Sequence, residues 1–185
     1  MHRLQVARGA APLTGNPAES SETGEARAGA TSAEVHRSTR TPFLISALVI
    51  AADQLTKVWA AAALADGPIL VVGELLQLRL TRNPGGAFGL FTGVTPFLAV
   101  LAALLAVFMV RTARRTDDRV TAYSLALVLG GAVGNLIDRL ARDPGFLRGE
   151  VVDFIRLPHW PTFNLADSAI TVGILIMLGW SWRAR

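Results

Sequence analysis

No cysteine occurs in the chain, which excludes disulfides, thiolate metal sites and a cysteine nucleophile and leaves the redox compartment open. Charge is scarce too: 17% of residues are charged, against about 25% in an ordinary soluble domain. Lysine is nearly missing, since every one of the 18 basic residues except Lys57 is arginine. Histidine is almost as rare, and beyond His2 and His36 only His159 remains. No HExxH and no histidine cluster can be assembled, so neither a metal nor another cofactor is expected. His159 itself, between Pro158 and Trp160, reads as an interfacial loop residue. The formal charge of +4 comes without a basic stripe or an RNA-binding motif, so nucleic acid is not an expected partner.

What fills the chain instead is apolar. Hydrophobic residues make up 51% of the 185, and mean hydropathy is +0.41, which points to a membrane protein. Four runs are candidate membrane spans: Phe43 to Leu64, roughly Thr95 to Val110, Val120 to Leu140 and Asp167 to Trp182; the first, with 22 residues at 1.5 Å per residue, can cross a core of about 30 Å. Residues 1–40 are rich in Ala, Gly, Ser, Thr, Glu and Arg and poor in large apolar side chains, so they are expected to form a disordered tail. They lack the apolar core of a secretory signal. Residues 41–185 are then one four-helix transmembrane domain. Between the first two spans, Leu76 to Thr81 alternates with the period of two of a half-buried strand. The fold expected is therefore an all-α membrane protein with four transmembrane helices and a small β element between helices 1 and 2. An even number of spans puts both termini on one side, and basic residues near the span ends favour the cytoplasm for them by a narrow margin.

Polar residues beside lipid need a partner or a task, because an ionisable side chain at the bilayer centre costs about 2.5–3.5 kcal/mol on insertion scales. Asp53 and Lys57, four apart, share a helix face. They read either as an internal ion pair or as the source of a Ser/Lys dyad, for which Ser46, Ser124, Ser168 and Ser181 are the available serines. On the third span Gly130 and Gly134 permit close helix approach. Asn135, Asp138 and Arg139 follow, either as a hydrogen-bonded knot at the helix end or, for Asp138, as a third carboxylate of a site. Asp153 lies in an apolar, β-branched run expected to be extended. Asp167 opens the fourth span with Asn164 placed like its N-cap. A lone acid among valines and a phenylalanine gains nothing unless another group faces it, so Asp153 and Asp167 are expected to converge. Two carboxylates brought close do not both ionise easily; one holds a proton while the other serves as base. That is the state needed to activate water and protonate a leaving amine. A transporter built on membrane acids and a purely structural scaffold are the rival classes.

Several stretches together resemble the type II (lipoprotein) signal peptidases of bacteria. They are Asp53-Gln54-Leu55-Thr56-Lys57, Arg82-Asn83-Pro84-Gly85-Gly86-Ala87-Phe88, Gly130 through Arg139, Val151-Val152-Asp153-Phe154 and Phe163-Asn164-Leu165-Ala166-Asp167-Ser168. They fall in order over roughly residues 43 to 182, and none covers residues 1–40. The resemblance implies a multi-pass aspartic endopeptidase of the bacterial inner membrane, sensitive to globomycin, with its active site near the outer surface. Its substrates would be diacylglyceryl-modified prolipoproteins in contact with membrane lipid, and the enzyme is expected to be a monomer. By position Asp153 and Asp167 match the catalytic pair. Asn83, Gly86, Asn135, Asp138, Arg139 and Asn164 match residues that bind substrate or brace the site, and Asp53 with Lys57 match the first-helix motif. From its glycine content and the alternation before it, the Gly85-Gly86 turn is expected to clamp an extended substrate backbone.

Overall fold

In the computed structural model, residues 17–85 and 95–183 are described, with side chains from residue 40 onward. Seven elements follow in order: α1 (Pro17–Ala63), β1 (Ile69–Val72), β2 (Leu76–Asn83), α2 (Thr95–Ala113), α3 (Arg119–Ala141), β3 (Val151–Arg156) and α4 (Leu165–Arg183). Contacts divide the chain into two units, Met1–Arg37 and Ser38–Arg185. Among the described residues the first unit holds the beginning of α1, whose bounds start at Pro17, and the rest of the expected tail lies outside the described residues. Ala, Glu and Arg, abundant there, are good helix formers even where no apolar face exists to be buried.

Among the described residues of the second unit, four helices are long and apolar enough to span a membrane: Arg40–Ala63, Thr95–Ala113, Arg119–Ala141 and Leu165–Arg183. Their outward faces carry large apolar side chains such as Leu55, Leu104 and Leu175, all exposed, as expected where hydrocarbon replaces water. α3 is the most enclosed span, and its glycines explain why. A Cβ on Gly130 would meet Val49 Cβ at 2.7 Å, and one on Gly134 would meet Asp53 Oδ2 at 2.6 Å, so α1 approaches α3 at van der Waals contact. Gly131, between them, faces α4 and would collide with the Ala166 carbonyl. The small-residue pair read from the sequence is thus a three-helix seam.

The β element is a three-stranded antiparallel sheet in the order β1-β2-β3. Its third strand comes from the segment between α3 and α4, where Asp153 was expected to be extended. β2 and β3 pair Thr81 with Asp153 and Asn83 with Val151, with a register shift between Leu78 and Thr81. Beyond β3, a loop doubles back at Leu157–Thr162, and Phe163 exchanges backbone hydrogen bonds with Ile155 at 2.8 and 3.0 Å. That bridge brings the next residue, Asn164, back beside Asp153. The sheet sits on the last turns of the first span: Leu78, Leu80 and Ile155 pack on a cluster of Ala60, Leu64 and Phe154.

Candidate active site

Asp153 is 2% exposed, on the strand that pairs with β2, yet its carboxylate has donors on both sides. Asn83 Nδ2 donates to Oδ2 at 3.0 Å, and Asn164 Nδ2 donates to Oδ1 at 2.7 Å. Burial pushes its pKa from 3.8 up to about 6; the two amide donors pull it down, and the nearby charge of Asp167 pushes it up further. Asp167 is half-buried in the first turn of α4. Its backbone N–H donates to Asn164 Oδ1 at 2.9 Å, while the Asn164 N–H donates to Asp167 Oδ2 at 3.3 Å. This reciprocal cap is the reason Asn164 and Asp167 stand three apart. The cap leaves the Asn164 amide nitrogen turned to Asp153, so one asparagine holds both acids.

A second amide is fixed from the other direction. Lys57, fully buried, donates to Asp53 Oδ2 at 2.8 Å, to Asp138 Oδ2 at 2.8 Å and to Asn135 Oδ1 at 2.9 Å. An ammonium has three donors and no acceptor, so the atom of Asn135 that faces it is the oxygen. The Asn135 nitrogen is thereby turned toward Asp167 Oδ1, to which it donates at 2.8 Å. Asn164 Nδ2 also donates to Asn135 Oδ1 at 3.1 Å, closing the chain of amides between the two aspartates. Beneath it, Lys57 meets Asp53 and Asp138 away from water, and the partly exposed Arg142 reaches Asp138 Oδ1 at 2.7 Å from the outer side. Paired in this way, buried charges escape most of the penalty an isolated one carries.

Both aspartates line one cavity of about 290 Å³, with Asn83, Asn135, Arg139, Val151, Trp160 and Phe163 among its other walls. It lies at the end of the bundle where α1 and α3 finish and α4 begins, beside the sheet. Arg139 Nη1 donates to the Asn135 carbonyl at 3.1 Å, and its Nε is buried with no hydrogen-bond partner among the described residues. The cavity therefore has a pair of acids, a guanidinium in its wall and an apolar lip.

A search over protein families matches residues 45–183 to the model described as signal peptidase (SPase) II. The chain belongs to the signal peptidase II family. It is 44% identical over 137 residues to the lipoprotein signal peptidase of Rhodococcus jostii, covering 74% of this chain and 69% of that one. To the lipoprotein signal peptidase of Mycolicibacterium smegmatis it is 38% identical over 150 residues, 80% of this chain and 64% of the relative. Among solved structures, a bacterial membrane enzyme determined by the in meso method at 2.3 Å aligns with a TM-score of 0.69 and 28% identity, over 77% of this chain and 88% of that one. The chain is thus a multi-pass membrane peptidase of this family, with four spanning helices and a small sheet.

The geometry brings together most of the residues singled out in the sequence. Asp153, Asp167, Asn83, Asn135 and Arg139 line the cavity, and Asn164 bridges the acids from behind. Asp138 does not join them: it turns to Lys57, Arg142 and the Val152 N–H, so it braces β3 and is no third carboxylate of the site. Asp53 is also turned inward, accepting from the Ala166 N–H at 3.0 Å and so holding the start of α4. Gly86 lies outside the described residues. Among the described residues no serine accompanies Lys57; the hydroxyls of Ser46, Ser124 and Ser168 donate to backbone carbonyls of Ala126, Val120 and Asn164. His159 is exposed in the loop after β3. Gln54 was missed, although its amide donates to Asp53 Oδ2, the Gly134 carbonyl and Asp138 Oδ1. Its position beside Asp53 in a span that tolerates few polar side chains was the available signal. Ile170 and Thr171, three and four residues beyond Asp167, line the cavity as helical spacing predicts and were not singled out either.

Proposed function

We propose that the chain is an aspartic endopeptidase that removes the signal peptide from diacylglyceryl-modified prolipoproteins, with Asp153 and Asp167 as its catalytic pair. The observation that carries this reading is the cavity at the end of the bundle in which the two carboxylates meet, tied to each other through Asn164. With one proton shared between them, the ionised acid takes a proton from water as its oxygen attacks the scissile carbonyl. The protonated one gives its proton to the developing oxyanion; on collapse it takes that proton back as the carbonyl re-forms, while the acid that deprotonated water passes its proton to the departing amine as the C–N bond breaks. The Asn135, Asn164 and Asn83 amides hold the acids in place, and Lys57 with Asp53 and Asp138 brace them from the protein interior. Arg139 lines the cavity and sets a positive charge beside both acids.

Depth gives the arrangement its purpose. Acyl chains and a signal helix fix a lipid-modified substrate in the bilayer, so its scissile bond arrives at one level, and the pair sits at the level where α4 enters the membrane. Residues 41–185 form the peptidase body, with termini in the cytoplasm and the cavity at the outer side of the inner membrane. Gly85 and Gly86, which follow β2 in the sequence, are part of the substrate clamp, the enzyme works as a monomer, and globomycin competes for the same cavity. A Ser/Lys mechanism finds no support, because all three donors of Lys57 are engaged and none goes to a hydroxyl. The test is conversion by the purified full chain in detergent of a prolipoprotein with and without its diacylglyceryl group. Cleavage of the modified form alone, blocked by globomycin, is expected; equal cleavage of both forms, or of neither, contradicts the substrate assignment.

A further inference from the structure

We propose that the β1–β2 hairpin is an interfacial anchor that lies among phospholipid headgroups and upper acyl chains at the cavity end of the bundle. Among the described residues β1 is an edge strand, paired only with β2. Every residue of it is apolar and exposed: Ile69 43%, Leu70 59%, Val71 52% and Val72 54%, followed by Leu75 at 66% in the turn. Neighbouring residues on a strand point to opposite faces, so the apolar surface is two-sided. A single docked protein covers one face of a strand, whereas a fluid apolar layer covers both. In water, such an edge would be an aggregation hazard of the kind soluble proteins blunt with charge or proline.

The surrounding structure says which layer this is. The sheet rests on Ala60 and Leu64, and the same turns of α1 present Leu55, Val58 and Trp59 outward on the face that meets lipid. Trp59 packs edge-on against Phe154 of β3, with ring centroids 6.4 Å apart, so the lipid-facing belt of the first span runs directly into the sheet. α1 ends at Ala63 and β1 begins at Ile69, which starts the hairpin where the chain leaves the hydrocarbon. Its unpaired edge amides and carbonyls set the depth limit, because such groups are not left bare in the hydrocarbon core. Glu74 and Arg79, both exposed, likewise fit headgroup level and not deeper. The hairpin thereby anchors β2, and with it Asn83, relative to the membrane plane.

The absence of cysteine makes the test clean. Single nitroxide labels are placed through Ile69→Cys, Leu70→Cys and Val72→Cys in the full chain in phospholipid nanodiscs. Leu75→Cys serves as a fourth site that leaves the strand ladder untouched. Leu104→Cys on the lipid face of α2 and Asp117→Cys in the α2–α3 turn are the hydrocarbon and water references. The ratio of collisions with oxygen to collisions with a water-soluble nickel chelate is expected to fall between the two references at all four hairpin sites, on both strand faces. A ratio equal to the Asp117 reference, or to the Leu104 reference, overturns the interfacial placement. Shielding of one face from both quenchers also overturns it and assigns that face to a protein contact. None of these readings depends on the peptidase assignment.

Discussion

Asn83 donates to the oxygen of Asp153 that Asn164 leaves free, and that contact helps set where Asp153 titrates. Asp153 is neutral below about 6 because burial outweighs its donors. A pair that works with one proton falls off as pH rises through that value, and the free-enzyme limb appears in kcat/KM. Asn83 lowers the Asp153 pKa, so Asn83→Ala is expected to move the alkaline limb upward in pH; a limb that stays or moves downward refutes the role given to Asn83. Asn135→Asp is the matching test for Asp167. It keeps an oxygen toward Lys57 but replaces the donor facing Asp167 with an acceptor. The expected cost is about 1–3 kcal/mol for the lost, part-buried contact, read as a fall of roughly one to two powers of ten in kcat/KM. A variant that unfolds early but keeps kcat/KM assigns Asn135 to stability alone.

Elements were legible in the sequence to different degrees. The four spans follow from hydropathy, since nothing but a helix satisfies its own backbone over that length of hydrocarbon. The Asn164 cap and the extended run at Asp153 could be read locally, because capping and β-branching are local properties. That β3 joins β2 could not be read, because the pairing of Asn83 with Val151 is set by α1 and α3 holding the two strand origins together. The same limit hid Gln54 and the inward turn of Asp138, whose partners are about 80 residues away in the chain. Asp138 and Asp153 both looked like site acids; only packing separates the one paired with Lys57 from the one facing the cavity. The α3 seam offers a test at this scale. Gly134→Val places a side chain where Asp53 Oδ2 already stands at 2.6 Å from the first added carbon. Overpacking of this kind costs about 1–3 kcal/mol, so thermal unfolding in detergent should come at a lower temperature, with activity falling as α1 and its Lys57 shift. Unchanged unfolding would mean that α1 and α3 are not in contact there.

At the scale of the molecule, the bundle and its sheet deliver two acids from separate elements to one cavity. α3 provides Asn135 and Arg139, the sheet provides Asp153 and Asn83, and α4 provides Asp167. Each acid sits in a separate element, so neither substitutes for the other, and each is expected to be indispensable. The most direct measurement is turnover of a diacylglyceryl-modified prolipoprotein by the purified chain, compared with Asp153→Asn and Asp167→Asn, each checked for retained helix content and unfolding temperature. Asparagine preserves shape and removes the proton chemistry, and general acid–base catalysis contributes about 10²–10⁴-fold. Both variants should therefore stay folded and lose at least that range of kcat; substantial turnover by either folded variant contradicts the paired-aspartate account.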